Sequence, residues 1–123
     1  MTHKSTGTVK YRNNSVVLDI DPEIARYYQW QLSQYLPKFN KPLYAPHITI
    51  IRDGEIVIWD TAYENLRVDF YYHTYIINDE LYYWLHVDKN DILSDIRKYY
   101  GLDWCFDKQK EYHITIANIK GIS

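Results

Sequence analysis

At 123 residues the chain is long enough for one domain with a real core and too short for two. Lys and Arg total 14 against 16 Asp and Glu, and a net charge of −2 argues against a protein that coats long nucleic acid through phosphate neutralisation. The single cysteine, Cys105, excludes an internal disulfide, and no Cys–His cluster has zinc spacing. No apolar run approaches membrane-spanning length, and the N-terminus lacks the apolar core of a signal peptide. The expectation is a soluble, cytoplasmic protein without a membrane partner, acting as a monomer or small homo-oligomer. Aromatic residues make up 17% of the chain, including 14 Tyr and 4 Trp, a supply that serves a core and equally a nucleobase site.

In chain order, residues 6–12 and 15–20 are β-rich runs separated by Asn13-Asn14, residues that tolerate the left-handed angles of a tight turn, so a hairpin is expected. Asp21 then offers a cap, Pro22 fits the first helical position, and Ile24, Tyr28, Leu32 and Tyr35 recur at helical spacing. A helix is expected from about 22 to 36, ending before Pro37. A loop with Pro37, Pro42 and Pro46 leads to the strand "HITIIR". Residues 53–65 carry an Asp53-Gly54 turn signal and a short apolar strand, and they join the two halves.

The second half repeats this order. "LRVDFYYHTYII" and "LYYWLHV" flank Asn78, Asp79 and Glu80 and suggest another hairpin. "DKNDILSDIRKYYG" has capping candidates Asp88, Asn90 and Asp91 and a stop at Gly101, and "DWCFDKQK" leads into a second "HITI" at 113–116. "LDID" at 18–21 aligns with "LHVD" at 85–88, and each HITI lies at nearly the same distance from its hairpin turn. The halves, about 1–52 and 66–123, therefore look like duplicated lobes within a single domain.

Alternation in a strand puts His47 and Thr49 on one face, roughly 7 Å apart, with Ile48 and Ile50 on the other; His113 and Thr115 behave alike. If the lobes are related by a pseudo-two-fold, two imidazoles and two hydroxyls converge on one small site. Such a set suits phosphodiester cleavage. One imidazole removes a proton from the nucleophile, the other protonates the leaving oxygen, and the hydroxyls donate to non-bridging phosphate oxygens. No G-x-S-x-G elbow or Walker loop is present.

The pair His47-Ile48-Thr49-Ile50 and His113-Ile114-Thr115-Ile116 resembles the H-x-T motifs of the two-histidine (2H) phosphoesterase superfamily. The resemblance implies an α+β, bilobal fold of pseudo-two-fold symmetry, with antiparallel sheets forming a central cleft and helices packed outside. It implies His47 and His113 as general acid and base, Thr49 and Thr115 on the phosphate, and no required metal or cofactor. Family substrates include nucleoside 2',3'-cyclic phosphates, 2',5'-linked oligonucleotides and cyclic oligonucleotide signals. The small size and aromatic richness look like the phage anti-CBASS branch, which opens the cyclic di- and trinucleotides of bacterial defence.

Base-binding candidates come from strand parity. A two-residue turn at Asp79-Glu80 would set Tyr75 opposite Trp84 and His73 opposite His86, so Tyr75 and Trp84 are candidates to stack nucleobases. Tyr11 is a third candidate, although parity groups it with Val9 and the core. His73 and His86 suggest a metal pair without a third ligand and are read as sheet histidines, so no metal site is expected. Lys10, Lys38, Lys41 and Arg52 are read mainly as surface charges. The preferred function is hydrolysis of a cyclic oligonucleotide; the alternatives are a 2',3'-cyclic or 2',5'-specific phosphodiesterase, and a non-catalytic protein that sequesters a nucleotide.

Overall fold

The computed structural model describes residues 1–122. Strands β1 (Thr2–Arg12) and β2 (Ser15–Asp19) form the first hairpin, with Asn13 at its turn in the left-handed region at φ 57°. Helix α1 (Pro22–Ser33) starts where Asp21 accepts the Glu23 N–H, and its regular turns end three residues earlier than the sequence suggests. Strand β3 (His47–Ile51) follows the proline-rich loop. The second half supplies β4 (Arg67–His73), β5 (Ile77–Asn78), β6 (Tyr82–His86), α2 (Asp91–Tyr99) and β7 (His113–Asn118). Asn90 caps α2 by accepting from the Ile92 and Leu93 N–H groups, and Gly101, at φ 80°, ends it.

All seven strands belong to one antiparallel sheet in the order β4-β1-β2-β3-β7-β6-β5. Apart from β4, this order is symmetric about the β3–β7 seam. In each half a hairpin leads to a helix, and the helix returns the chain to the HITI strand beside the second hairpin strand. Register repeats the symmetry: Leu18 faces Ile48, Leu85 faces Ile114, and each pairing has an irregularity one residue earlier, at Val16/Val17 and Tyr83/Trp84. One face of the sheet is apolar, and Leu18, Ile48, Ile50, Leu85, Ile114 and Ile116 are fully buried on it. Ile24, Tyr28 and Leu32 of α1 and Leu93 and Ile96 of α2 complete this core. Burying each such aliphatic side chain contributes about 1.5–3 kcal/mol.

The second hairpin departs from expectation. Residues 67–73 pair with β1, from Thr2 opposite His73 to Thr8 opposite Arg67. The physical reason is an open edge: β2 pairs with only one edge of β1, and the other would leave its backbone N–H and C=O groups without partners unless a further strand covers it. The Asp79 carboxylate accepts from the N–H groups of Leu81 and Tyr82, which widens the turn and sets Ile77 opposite Trp84. Tyr75 is therefore not the partner of Trp84. The sheet curls into a half-barrel until β4 meets the end of β6: Tyr72 bridges Val87, and the Asp88 N–H donates to the Tyr71 carbonyl at 3.0 Å. The two halves share this continuous sheet instead of forming separate ones.

The connection over residues 53–65 contains no strand. The Asn14 side chain takes the place of a strand partner there, donating to the Ile56 carbonyl at 2.7 Å and accepting the Ile58 N–H at 2.9 Å. Glu55 anchors the same segment to α2 through a two-pronged pair with Arg97 at 2.8 and 2.9 Å. Arg97 is 1% exposed and also donates to the carbonyls of Ile50 and Asp103. Burial alone would push the Glu55 carboxyl up, but the Arg97 hydrogen bonds and charge outweigh it and hold the group below its ordinary range.

Candidate active site

The polar face of the sheet carries the two HITI motifs. His47, Thr49, His113 and Thr115 are all half-buried on it, while the isoleucines between them are buried on the other side. Ile48 sits opposite Ile114 in the antiparallel β3–β7 pair. One step along that register sets His47 beside Thr115 and Thr49 beside His113. The four side chains thus mark the corners of a small quadrilateral, with the imidazoles on a diagonal of about 7–8 Å between backbone positions. A local two-fold passes through the Ile48–Ile114 pair.

The imidazoles are oriented alike. His47 Nδ1 lies 2.8 Å from the Ala45 carbonyl, and His113 Nδ1 lies 2.9 Å from the Glu111 carbonyl, in each case two residues earlier. A carbonyl only accepts, so each Nδ1 carries a hydrogen and each Nε2 is the nitrogen that gains or loses a proton. Glu111 adopts φ 56°, a left-handed conformation that costs a non-glycine residue about 1–2 kcal/mol. Its N–H is fixed to the Asp107 carbonyl at 2.7 Å. Strain is thereby held at the residue whose carbonyl aims His113. Because backbone carbonyls do this work, the letters before the motifs, "YAP" and "KEY", share nothing that reveals it.

The surroundings of the two histidines differ. His47 and Thr49 border a cleft of about 570 Å³ whose walls include Arg12, Val17, Tyr44 and Arg52. Arg12 is engaged by Asp19, with Nη1 to Oδ1 at 2.7 Å. Arg52 lies over the Phe106 ring at 5.2 Å, and Phe106 in turn lies 6.0 Å from the His113 ring. Trp84, 8% exposed, approaches His113 edge-on at 6.4 Å. Burial pushes the pKa of His113 below its ordinary value; the Glu111 carbonyl and Asp107 oppose this, while the charges of Lys110 and His47 add to it.

Trp84 lies opposite Thr115 in the sheet, so it shares the histidine face through a pairing other than the expected one. Tyr75 stays 53% exposed, stands edge-on to His73 at 5.7 Å and is not part of the cleft wall beside His47. Tyr11 belongs to the helix side: its hydroxyl lies 2.6 Å from that of Tyr100 and accepts the Tyr63 N–H at 3.2 Å. Sequence reasoning missed Tyr44, Arg12 and Phe106 as neighbours of the motifs and discounted Arg52. A usable signal existed, since the loop before each HITI carries an aromatic residue, Tyr44 in one half and Phe106 in the other. No protein-family model, curated protein or solved structure matches this chain.

Proposed function

We propose that the protein is a two-histidine phosphodiesterase that opens cyclic oligonucleotides, of the kind a phage would use against CBASS signalling. The observation that carries this reading is the matched presentation of His47 and His113: two Nε2 atoms held by equivalent Nδ1 contacts on one polar face, each with a threonine beside it. Diagonal imidazoles on either side of a phosphate suit in-line displacement, which needs a base behind the nucleophile and an acid behind the leaving oxygen.

The lowered pKa suits His113 to the base. Its Nε2 takes the proton of the ribose 2'-OH beside the scissile phosphate, and that oxygen attacks phosphorus. The bond from phosphorus to the 5' oxygen breaks, and His47 Nε2 delivers the proton that this oxygen needs. The product end is a 2',3'-cyclic phosphate. In a second step, the roles reverse: His47 activates water, and His113 returns its proton to the departing 2' oxygen. Thr49 and Thr115 donate to the non-bridging oxygens as charge builds there. Arg52 supplies positive charge at the cleft wall, and the exposed Tyr44 offers a stacking face worth about 1–3 kcal/mol per base, whereas Trp84 is buried beneath Lys110 and backs the His113 corner instead of stacking.

The test is incubation with cyclic dinucleotides, cyclic trinucleotides, 2',3'-cyclic nucleotides and 2',5'-oligoadenylate in EDTA, followed by mass analysis. Linear products from the cyclic oligonucleotides are expected. Turnover confined to 2',3'-cyclic or 2',5'-linked compounds would assign the site to RNA-end processing. Recovery of every ligand intact would make the protein a binder.

A further inference from the structure

On the same polar face, beside the His113 corner, a second group of side chains has no part in the acid–base chemistry. His86 faces His113 across the β6–β7 pair. The curl of the sheet brings His73 of β4 to it, with ring centroids 4.9 Å apart, and Asp88 follows two residues after His86. We propose that His73, His86 and Asp88 bind a divalent transition-metal ion, with zinc the best match, and that this ion clips β4 to the end of β6. The proposal goes beyond phosphodiester cleavage and stands without it.

One ligand atom from each of the three residues lies within 4.8 Å of the other two. In a tetrahedral zinc site with bonds of about 2.0–2.2 Å, ligand atoms stand roughly 3.3 Å apart, a gap that side-chain rotation closes. Two imidazoles and a carboxylate are ligands that zinc favours, and a third protein ligand is what the two histidines lacked in the sequence. The frame is already fixed by the backbone. Tyr72 bridges Val87, and the Asp88 N–H donates to the Tyr71 carbonyl, so the residues flanking this bridge are the ligands themselves.

Hydrogen bonds within the set join only two of its three members. His73 Nε2 and Asp88 Oδ1 meet at 2.6 Å, whereas the His86 ring has no hydrogen-bond partner among the described residues. An ion at the centre would take the lone pair of His86 and replace the His73–Asp88 bond with two coordinate bonds. All three residues are half-buried, which leaves a further coordination position open to water. Tyr75 stands edge-on to His73 at 5.7 Å.

The experiment uses full-length, tag-free protein stripped by chelator and then dialysed, titrated with zinc by calorimetry and with cobalt by visible absorption. One equivalent per chain is expected, with the d–d bands of a low-coordinate cobalt site and a rise in melting temperature. His86→Ala and Asp88→Asn should each weaken binding by at least about 100-fold, while His47→Ala should retain the stoichiometry and the spectrum. Circular dichroism reports the fold of each variant, and Asp88→Asn, which preserves shape, carries the test if His86→Ala misfolds. Absence of saturable binding would overturn the proposal, as would equal affinity in wild type and Asp88→Asn, the mark of an ion held elsewhere. Because the readout is binding, the outcome is independent of catalysis.

Discussion

Around His47 the protein presents a broad cleft with two arginines and an exposed tyrosine; around His113 it presents Trp84, Phe106 and His86. The scaffolds beneath are equivalent, with the same leucine–isoleucine pairing, the same irregularity before it and the same Nδ1–carbonyl contact. Corresponding positions have diverged: where the first half has Val17 and Asp19, the second has Trp84 and His86. A repeated frame presents the two imidazoles alike, and burial lowers the pKa of His113, which suits it to the base in the proposed reaction.

Removing either imidazole should give the largest effect on turnover. His47→Ala and His113→Ala are each expected to lower kcat by about 10²–10⁴-fold without loss of fold, measured by product formation and circular dichroism. Loss in one variant alone would show that the halves do not act on one phosphate. The helices offer a second contrast, because α2 is tied down by the buried Arg97–Glu55 pair and α1 by apolar contacts. Arg97→Ala should cost about 3–5 kcal/mol in denaturant unfolding, since it leaves the mostly buried Glu55 without its partner.

Thr49→Val and Thr115→Val test the hydroxyls. Each is expected to lower kcat by about 10²-fold with KM less affected, and a marked difference between them would show which oxygen carries more charge in the transition state. The smallest effect concerns pH. A base must be neutral to act, and the pKa of His113 is pushed below 6.5, so the acid limb of kcat/KM should lie below that pH. Lys110→Gln removes a charge that lowers this pKa and should move the limb upward. The same lowering means that the folded state binds fewer protons than the unfolded chain near and below pH 6.5, so His113 makes stability fall as the pH drops through that range.

Much of the frame was legible because it is local. The alignment of "LDID" with "LHVD" is the correspondence that the sheet realises, with Leu18 and Leu85 each opposite the first isoleucine of a HITI. Asn13, Asp21, Asn90 and Gly101 act where turn and capping chemistry places them. The partner of β4 was not legible, since strand pairing depends on which edge is left open, and β4 takes the edge of β1 that β2 does not cover. One carboxylate, Asp79, widened a turn and moved Tyr75 away from Trp84. Asp88 read as a helix-start charge because only the curl of the sheet brings His73 to it.

The central claim is that His47 and His113 serve one reaction, and single-turnover cleavage of a cyclic oligonucleotide by both single variants and the double variant tests it most directly. Groups that act as a unit are strongly non-additive. The double variant should therefore be about as slow as the slower single variant. Losses that multiply, or full turnover by either single variant, would contradict the account.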